Sequence, residues 1–178
     1  MNEPSRQWPP SLEIQPLSAP CDADVTVPGS KSITNRALLL AALAARDGTC
    51  QLRGCLDSED VQVMLDSLGR LGFSVEAAGT TLTVHPTRDQ RIIPAASADL
   101  FVGNSGTTMR FLTAAVCLGQ GRFRLDGVTR MRQRPLGDLL QALRQLGVCL
   151  RCEIAEGFPP VVIDASGLPG GSVTLRGD

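Results

Sequence analysis

The sequence has no tyrosine, one tryptophan and five phenylalanines in 178 residues, so only 3% of it is aromatic. Sequence-tolerant binding of single-stranded nucleic acid uses aromatic platforms on a basic ground. With 17 basic against 18 acidic residues and a net charge of -1, this chain offers neither, and no nucleic-acid partner is expected. It also lacks a long apolar run: the longest, Ala37 to Ala45, is far short of the roughly 20 residues that cross a bilayer, so no membrane partner is expected either. Asn2, Glu3, Pro4 and the Pro9-Pro10 pair stand where a secretory signal would carry its apolar core. Residues 1–10 therefore read as a disordered tail and the protein as cytoplasmic. Histidine is represented once, by His85, between a strand-like run and Pro86, which reads as a strand-end residue. Of the six cysteines, only Cys149 and Cys152 have the spacing of a zinc or redox pair. No histidine or second close pair accompanies them, and three-residue spacing points them to opposite faces of a strand. Thiols in a reducing compartment, with no metal and no cofactor, are the expectation.

Apolar periodicity and turn residues divide the chain into a repeated pattern. A short strand is expected at Asp24 to Pro28, an apolar helix at Ser30 to Ala45 and a strand at Thr49 to Arg53. An amphipathic helix follows at Ser58 to Gly72, with apolar residues at 61, 64, 65, 68 and 71 and a terminal glycine. A hairpin of Phe73 to Glu76 and Thr81 to Val84 closes the unit, β-α-β-α-β-β. The same order returns as strand Asp99 to Val102, helix Gly106 to Leu118, strand Arg122 to Asp126, helix Pro135 to Leu146, and strands Val148 to Ile154 and Pro160 to Ile163. Ser32 and Arg36 correspond to Gly106 and Arg110 at an offset of 74, and Leu68, Leu71 and Gly72 to Leu143, Leu146 and Gly147 at an offset of 75. The fold class is thus α/β (α+β), with one repeat at about 24–86 and another at about 99–165. Ser172 to Gly177 resembles Asp24 to Gly29, so 172–178 reads as the start of a third. A single strand cannot bury its own face, and the polypeptide is expected to be the N-terminal piece of a longer protein.

Both repeats open a helix with small polar residues. A helix N-terminus presents unpaired N–H groups and the positive end of the macrodipole, which suits an anion. In the first repeat Lys31 adds a cation, Ser32 a hydroxyl, and Arg36 lies one turn further on the same face. In the second, Gly106 and Arg110 keep that spacing, with Asn104 and Thr107 as donors or caps. A nucleotide P-loop would need glycine immediately before the lysine and again five residues earlier, positions held here by Ser30 and Val25. A third cluster, Arg130, Arg132 and Arg134, stands just before a helix expected to begin at Pro135. Positive charge opposes the dipole there, whereas the equivalent stretch of the first repeat, Asp57 to Asp60, is the favourable acidic start. Either a bound carboxylate or phosphate, or pairing with acids such as Asp126 or Asp138, would resolve the conflict.

Three segments in order, Val27 to Arg36, Gly103 to Arg110 and Arg130 to Leu136, resemble the 5-enolpyruvylshikimate-3-phosphate synthases over about residues 12–178. That family moves the carboxyvinyl group of phosphoenolpyruvate to the 5-hydroxyl of shikimate 3-phosphate, on the way to chorismate and aromatic amino acids. The resemblance implies two domains, each of three β-α-β-α-β-β units. Residues 24–178 would belong to the N-terminal substrate-binding domain, and residues 11–23 would carry the first strand of the other, C-terminal domain. It implies that Lys31 touches both substrates, Ser32 and Arg36 hold shikimate 3-phosphate, and Gly106 and Arg134 hold phosphoenolpyruvate. Asn104, Thr107 and Arg110 would line the second loop. The family's Ser-Ser-Gln substrate segment would follow Asp178, and its acid–base carboxylates and lysine lie in the C-terminal half. No catalytic acid or base is therefore expected within this chain, which would be inactive alone. Phe111 departs from the family, which commonly has a smaller Pro or Leu there; this bears on helix packing and on the response to glyphosate-like mimics of phosphoenolpyruvate. A UDP-sugar enolpyruvyl transferase and a non-catalytic anion-binding module are the alternative readings.

Overall fold

The computed structural model describes residues 9–174. Its elements run α1 (Lys31–Leu43), β1 (Cys50–Leu52), α2 (Glu59–Arg70), β2 (Val75–Ala78), β3 (Thr81–Val84), β4 (Ser97–Phe101), α3 (Gly106–Ala115), β5 (Gln120–Asp126), α4 (Gly137–Gln145), β6 (Cys149–Cys152) and β7 (Val161–Ser166). One sheet has the order β1-β3-β2, wholly antiparallel. The other is β4-β5-β7-β6, in which β5-β7-β6 is antiparallel and β4 lies parallel to β5. Helices α1, α2 and α3 pack on one another, and a continuous apolar core joins both sheets through Leu38, Met64, Leu68, Met109, Leu112, Phe123 and Ile163.

The sequence explains the helices locally. The Ser30 and Ser105 hydroxyls accept the N–H groups of Ile33 and Thr108, capping α1 and α3 at donors that would otherwise go unpaired. Val61, Met64 and Leu68 form the buried stripe of α2, and Leu140 and Leu143 that of α4. Gly72 and Gly147, at φ +91° and +84°, end these two helices as the left-handed residue that satisfies the last carbonyls.

Several expectations need correction. Residues 24–28 form no strand: Val25 and Val27 alternate as a strand should, but are 79% and 76% exposed and pair with nothing among the described residues. Residues 11–23, expected to supply a strand to the other domain, run without regular structure here, with Leu12, Ile14 and Leu17 exposed. A strand exists only through a ladder, and β1, beside which residues 24–28 would lie by analogy with β4 and β5, is an edge strand. Helix α4 begins at Gly137, two residues later than expected. The Pro135 carbonyl is engaged by Arg110, and the Leu136 N–H donates to the Gly157 carbonyl at 2.8 Å, so both residues are committed outside the helix. Residues 172–174 have no regular structure, and the rest of the expected third repeat lies outside the described residues.

Burial decides cysteine chemistry. The Cys117 thiol is pushed up to about 11 by desolvation and donates to the Thr113 carbonyl at 3.1 Å. Cys21 and Cys149 are exposed. Iodoacetamide at pH 8 is therefore expected to label Cys21 and Cys149 in the native protein and Cys117 only after denaturation, as peptide mass mapping would show.

Candidate functional site

Three helix starts and one loop converge on a single cavity of about 340 Å³. Lys31 comes from the first residue of α1; Glu59, Asp60 and Val63 from the start of α2; Asn104, Ser105, Gly106 and Thr107 from the entry to α3; and Arg134 from the loop before α4. Each helix start contributes the positive end of its dipole, so the lining is predisposed to negative charge.

The Lys31 ammonium lies 2.9 Å from the Asp60 carboxylate. Burial raises the Asp60 carboxyl, but hydrogen bonds from Lys31 and Ser105 and the charges of Lys31 and Arg134 outweigh it, leaving Asp60 below the usual carboxylate range. Arg134 is half-buried, and its Nη1 donates to the Asn104 carbonyl at 3.2 Å. Its guanidinium lies directly against Gly106: a Cβ on that glycine would come within 2.5 to 2.7 Å of Nη2, Cζ and Nη1. The glycine is thus a steric requirement of the arginine's seat. Gly29 is explained differently, since a Cβ there would meet the Gly54 carbonyl oxygen at 2.2 Å; its smallness lets the chain cross the β1–α2 loop.

Of the eight residues singled out from sequence, Lys31, Asn104, Gly106, Thr107 and Arg134 meet in the cavity; Ser32, Arg36 and Arg110 do not line it. Ser32 is half-buried within α1. The exposed Arg36 places its guanidinium carbon 5.8 Å from the centroid of the Phe111 ring, so the larger residue at 111 gives that cation a π face. Arg110 donates to the Pro135 carbonyl at 3.0 Å, tying α3 to the Arg134 loop.

The three arginines before α4 are divided. Arg132 makes a two-point contact with the buried Asp126 at 2.8 and 2.6 Å, while Arg130 and Arg134 make no ion pair among the described residues. Asp138, the other candidate acid, forms no ion pair there either. Pairing with an acid thus holds for Arg132, which Asp126 neutralises, while Arg134 lines the cavity.

Sequence reasoning missed Asp60, which read as an ordinary acidic helix start, and Asn35. Asn35 is completely buried and its Nδ2 faces both the Asp60 carbonyl and the Thr108 hydroxyl at 3.5 Å, linking α1 to the starts of α2 and α3. Only the threefold proximity of helix starts reveals either residue.

Asp126 also sits below the usual carboxylate range: burial raises it, but Arg132, the Gly127 N–H and Arg124 together lower it further. A carboxylate held low in the folded state stabilises fully above its unfolded value of about 3.9, and that contribution is lost as pH falls through the folded value. Stability from Asp60 and Asp126 is thus expected to be constant from pH 7 to 5 and to decline below about pH 4. Thermal melts across that range should show a shallower acid decline for Asp126→Asn than for the unaltered protein.

Residues 17–178 match the family model of EPSP synthase (3-phosphoshikimate 1-carboxyvinyltransferase). A 3-phosphoshikimate 1-carboxyvinyltransferase of Marinomonas sp. is 46% identical over 170 residues, covering 94% of this chain. One of Burkholderia cenocepacia is 45% identical over 168 residues, with the same coverage. The chain spans 39% and 38% of their respective lengths. Among solved structures, an EPSP synthase from Acinetobacter baumannii superposes with a TM-score of 0.71 at 28% identity, over 83% of this chain and 35% of that one. With the family model matched across nearly all of the chain and a similar fold in a solved relative, the chain belongs to the EPSP synthase family.

Proposed function

We propose that this chain is the N-terminal substrate-binding part of an enzyme that transfers the carboxyvinyl group of phosphoenolpyruvate to the 5-hydroxyl of shikimate 3-phosphate. In this reading residues 24–178 are built of repeats at 24–86 and 99–165 and the opening of a third at 172–178. Residues 11–23 belong to the opposing domain, and the protein works in the cytoplasm.

The observation that carries the reading is the convergence of Lys31, Gly106 and Arg134 on one cavity beside three helix starts. Both substrates carry a phosphate and a carboxylate. Arg134 presents a planar fork matched to either group, and Lys31 a compact charge on a flexible stem. Lys31 contacts both substrates, Gly106 and Arg134 hold phosphoenolpyruvate, and Asn104, Thr107 and Arg110 support that loop. The half-buried Ser32 and the exposed Arg36, on α1 outside the cavity, receive shikimate 3-phosphate. An anion arriving at Lys31 shares that ammonium with the Asp60 carboxylate 2.9 Å away, which keeps the side chain aimed into the cavity. The chain thereby orients the substrates and offsets their charge. Proton transfer to and from the addition intermediate is assigned to carboxylates and a lysine of the C-terminal domain.

Calorimetric titration with each substrate tests the assignment. Lys31→Ala is expected to weaken both ligands and Arg134→Ala only phosphoenolpyruvate, by roughly tenfold to a hundredfold each, the scale of one charge-assisted hydrogen bond. Unchanged affinities in both variants would sink it. Phosphate release from the two substrates by this chain alone, at a rate near that of a full-length synthase, would overturn the placement of the proton-transfer groups elsewhere.

A further inference from the structure

Asp126 does not line the cavity, yet among the described residues it is the one charged residue that is buried, 5% exposed. It ends β5, and the chain then runs through Gly127 to Pro135 to reach α4. An ionised carboxylate offers about four acceptor sites, and all four of these are taken. Oδ1 accepts the Gly127 N–H at 2.8 Å and Arg132 Nε at 2.8 Å, while Oδ2 accepts Arg132 Nη2 at 2.6 Å and Arg124 Nη2 at 3.1 Å.

We propose that Asp126 is a positioning residue: by clamping Arg132 it fixes the loop that aims Arg134 into the cavity against Gly106. The proposal rests on the reading of Arg134 as a phosphoenolpyruvate ligand.

The loop needs such a clamp, because Val128, Thr129, Arg130, Arg132 and Gln133 are all exposed and only Met131 and Leu136 anchor it by apolar burial. Backbone contacts hold its beginning. The Asp126 carbonyl accepts the Val102 N–H at 2.8 Å, the Val128 N–H donates to the Gly103 carbonyl at 3.0 Å, and a Cβ on Gly127 would meet that carbonyl at 2.4 Å. The loop's start is thereby fastened to the Gly103–Asn104 segment that borders the cavity. Its far end is a single 3-10 turn, Met131–Gln133, and Arg134 follows immediately, with its N–H on the Met131 carbonyl at 3.0 Å. Arg132 lies within that turn. Holding its guanidinium at two points on a fully bonded carboxylate fixes the turn's orientation and hence the direction in which Arg134 leaves it. Asp126 also sorts the arginines, consuming the charge of Arg132, while Arg134 is the arginine that lines the cavity.

The test uses two variants. Asp126→Asn removes the charge while keeping the shape. Arg132→Gln removes an exposed partner and leaves Asp126 bonded to Arg124 and the Gly127 N–H, so it retains the fold if the first variant does not. Nitrogen-15 relaxation of the Arg134 Nε–H, with no ligand present, is expected to show greater mobility in both. Phosphoenolpyruvate affinity is expected to fall roughly three- to tenfold, the scale of one neutral hydrogen bond. In an Arg134→Ala background neither substitution should weaken the ligand further. Unchanged Arg134 mobility in both folded variants, or an equal affinity loss with and without Arg134, would overturn the proposal in favour of a purely structural carboxylate. If the unaltered chain does not bind phosphoenolpyruvate, the substrate reading fails, while the relaxation measurement still decides whether Asp126 positions Arg134.

Discussion

Replacing Gly106 with alanine is expected to weaken phosphoenolpyruvate binding by roughly tenfold to a hundredfold while leaving the fold intact or slightly firmer. The added methyl would stand 2.5 to 2.7 Å from three atoms of the Arg134 guanidinium, far inside contact distance. That guanidinium is the far end of a flexible side chain, so it is the group that yields, and the Asn104 carbonyl loses its donor. Helix α3 does not suffer, because alanine is the better helix former by up to about 1 kcal/mol and Gly106 does not require positive φ. A substitution that helps local structure and harms the site separates the two roles. Calorimetry with phosphoenolpyruvate, alongside a thermal melt, reads both. Wild-type affinity in Gly106→Ala would mean that Arg134 does not serve the ligand from its observed position.

The largest loss of stability is expected at Phe123. It is fully buried in β5, opposite Ile163 in the ladder with β7 and Ala98 in the ladder with β4. Truncating a buried phenylalanine to alanine costs about 3 to 5 kcal/mol, because the transfer free energy is lost and a cavity remains. Domains of this size are stable by about 5 to 15 kcal/mol in total, so about a fifth or more of the margin is at stake. Urea unfolding of Phe123→Ala should show a correspondingly lower midpoint with an unchanged slope. A change under 1 kcal/mol would mean that Phe123 does not anchor the core.

The two amphipathic helices were the most legible part of the fold. In both α2 and α4 the apolar stripe and the terminal glycine favour one conformation, joined in α2 by the acidic first turn, and the structure follows them to within a few residues. Pro135 misled because proline favours a first helical position only when nothing else claims it, and its carbonyl is claimed by Arg110 across 25 residues. Val25 and Val27 misled because alternation reports a strand's preference and not the presence of a neighbour to pair with. The candidate site was legible where its chemistry is carried by helix starts, in Lys31, Asn104, Gly106 and Thr107, since N-terminal residues are recognisable from sequence.

By itself the sequence determined the α/β class, two small-residue helix starts suited to anions, and an arginine cluster at odds with the helix it precedes. All of these follow from interactions within about a turn of helix or strand. Which arginine faces the cavity and which is neutralised was decided only by tertiary structure, when β5 delivered Asp126 to Arg132 and α3 delivered Gly106 to Arg134. The same holds for Asp60, a favourable helix start in sequence and the partner of Lys31 in space. Charge acts through distance, and the distances between residues some 30 positions apart are set by how the helices pack.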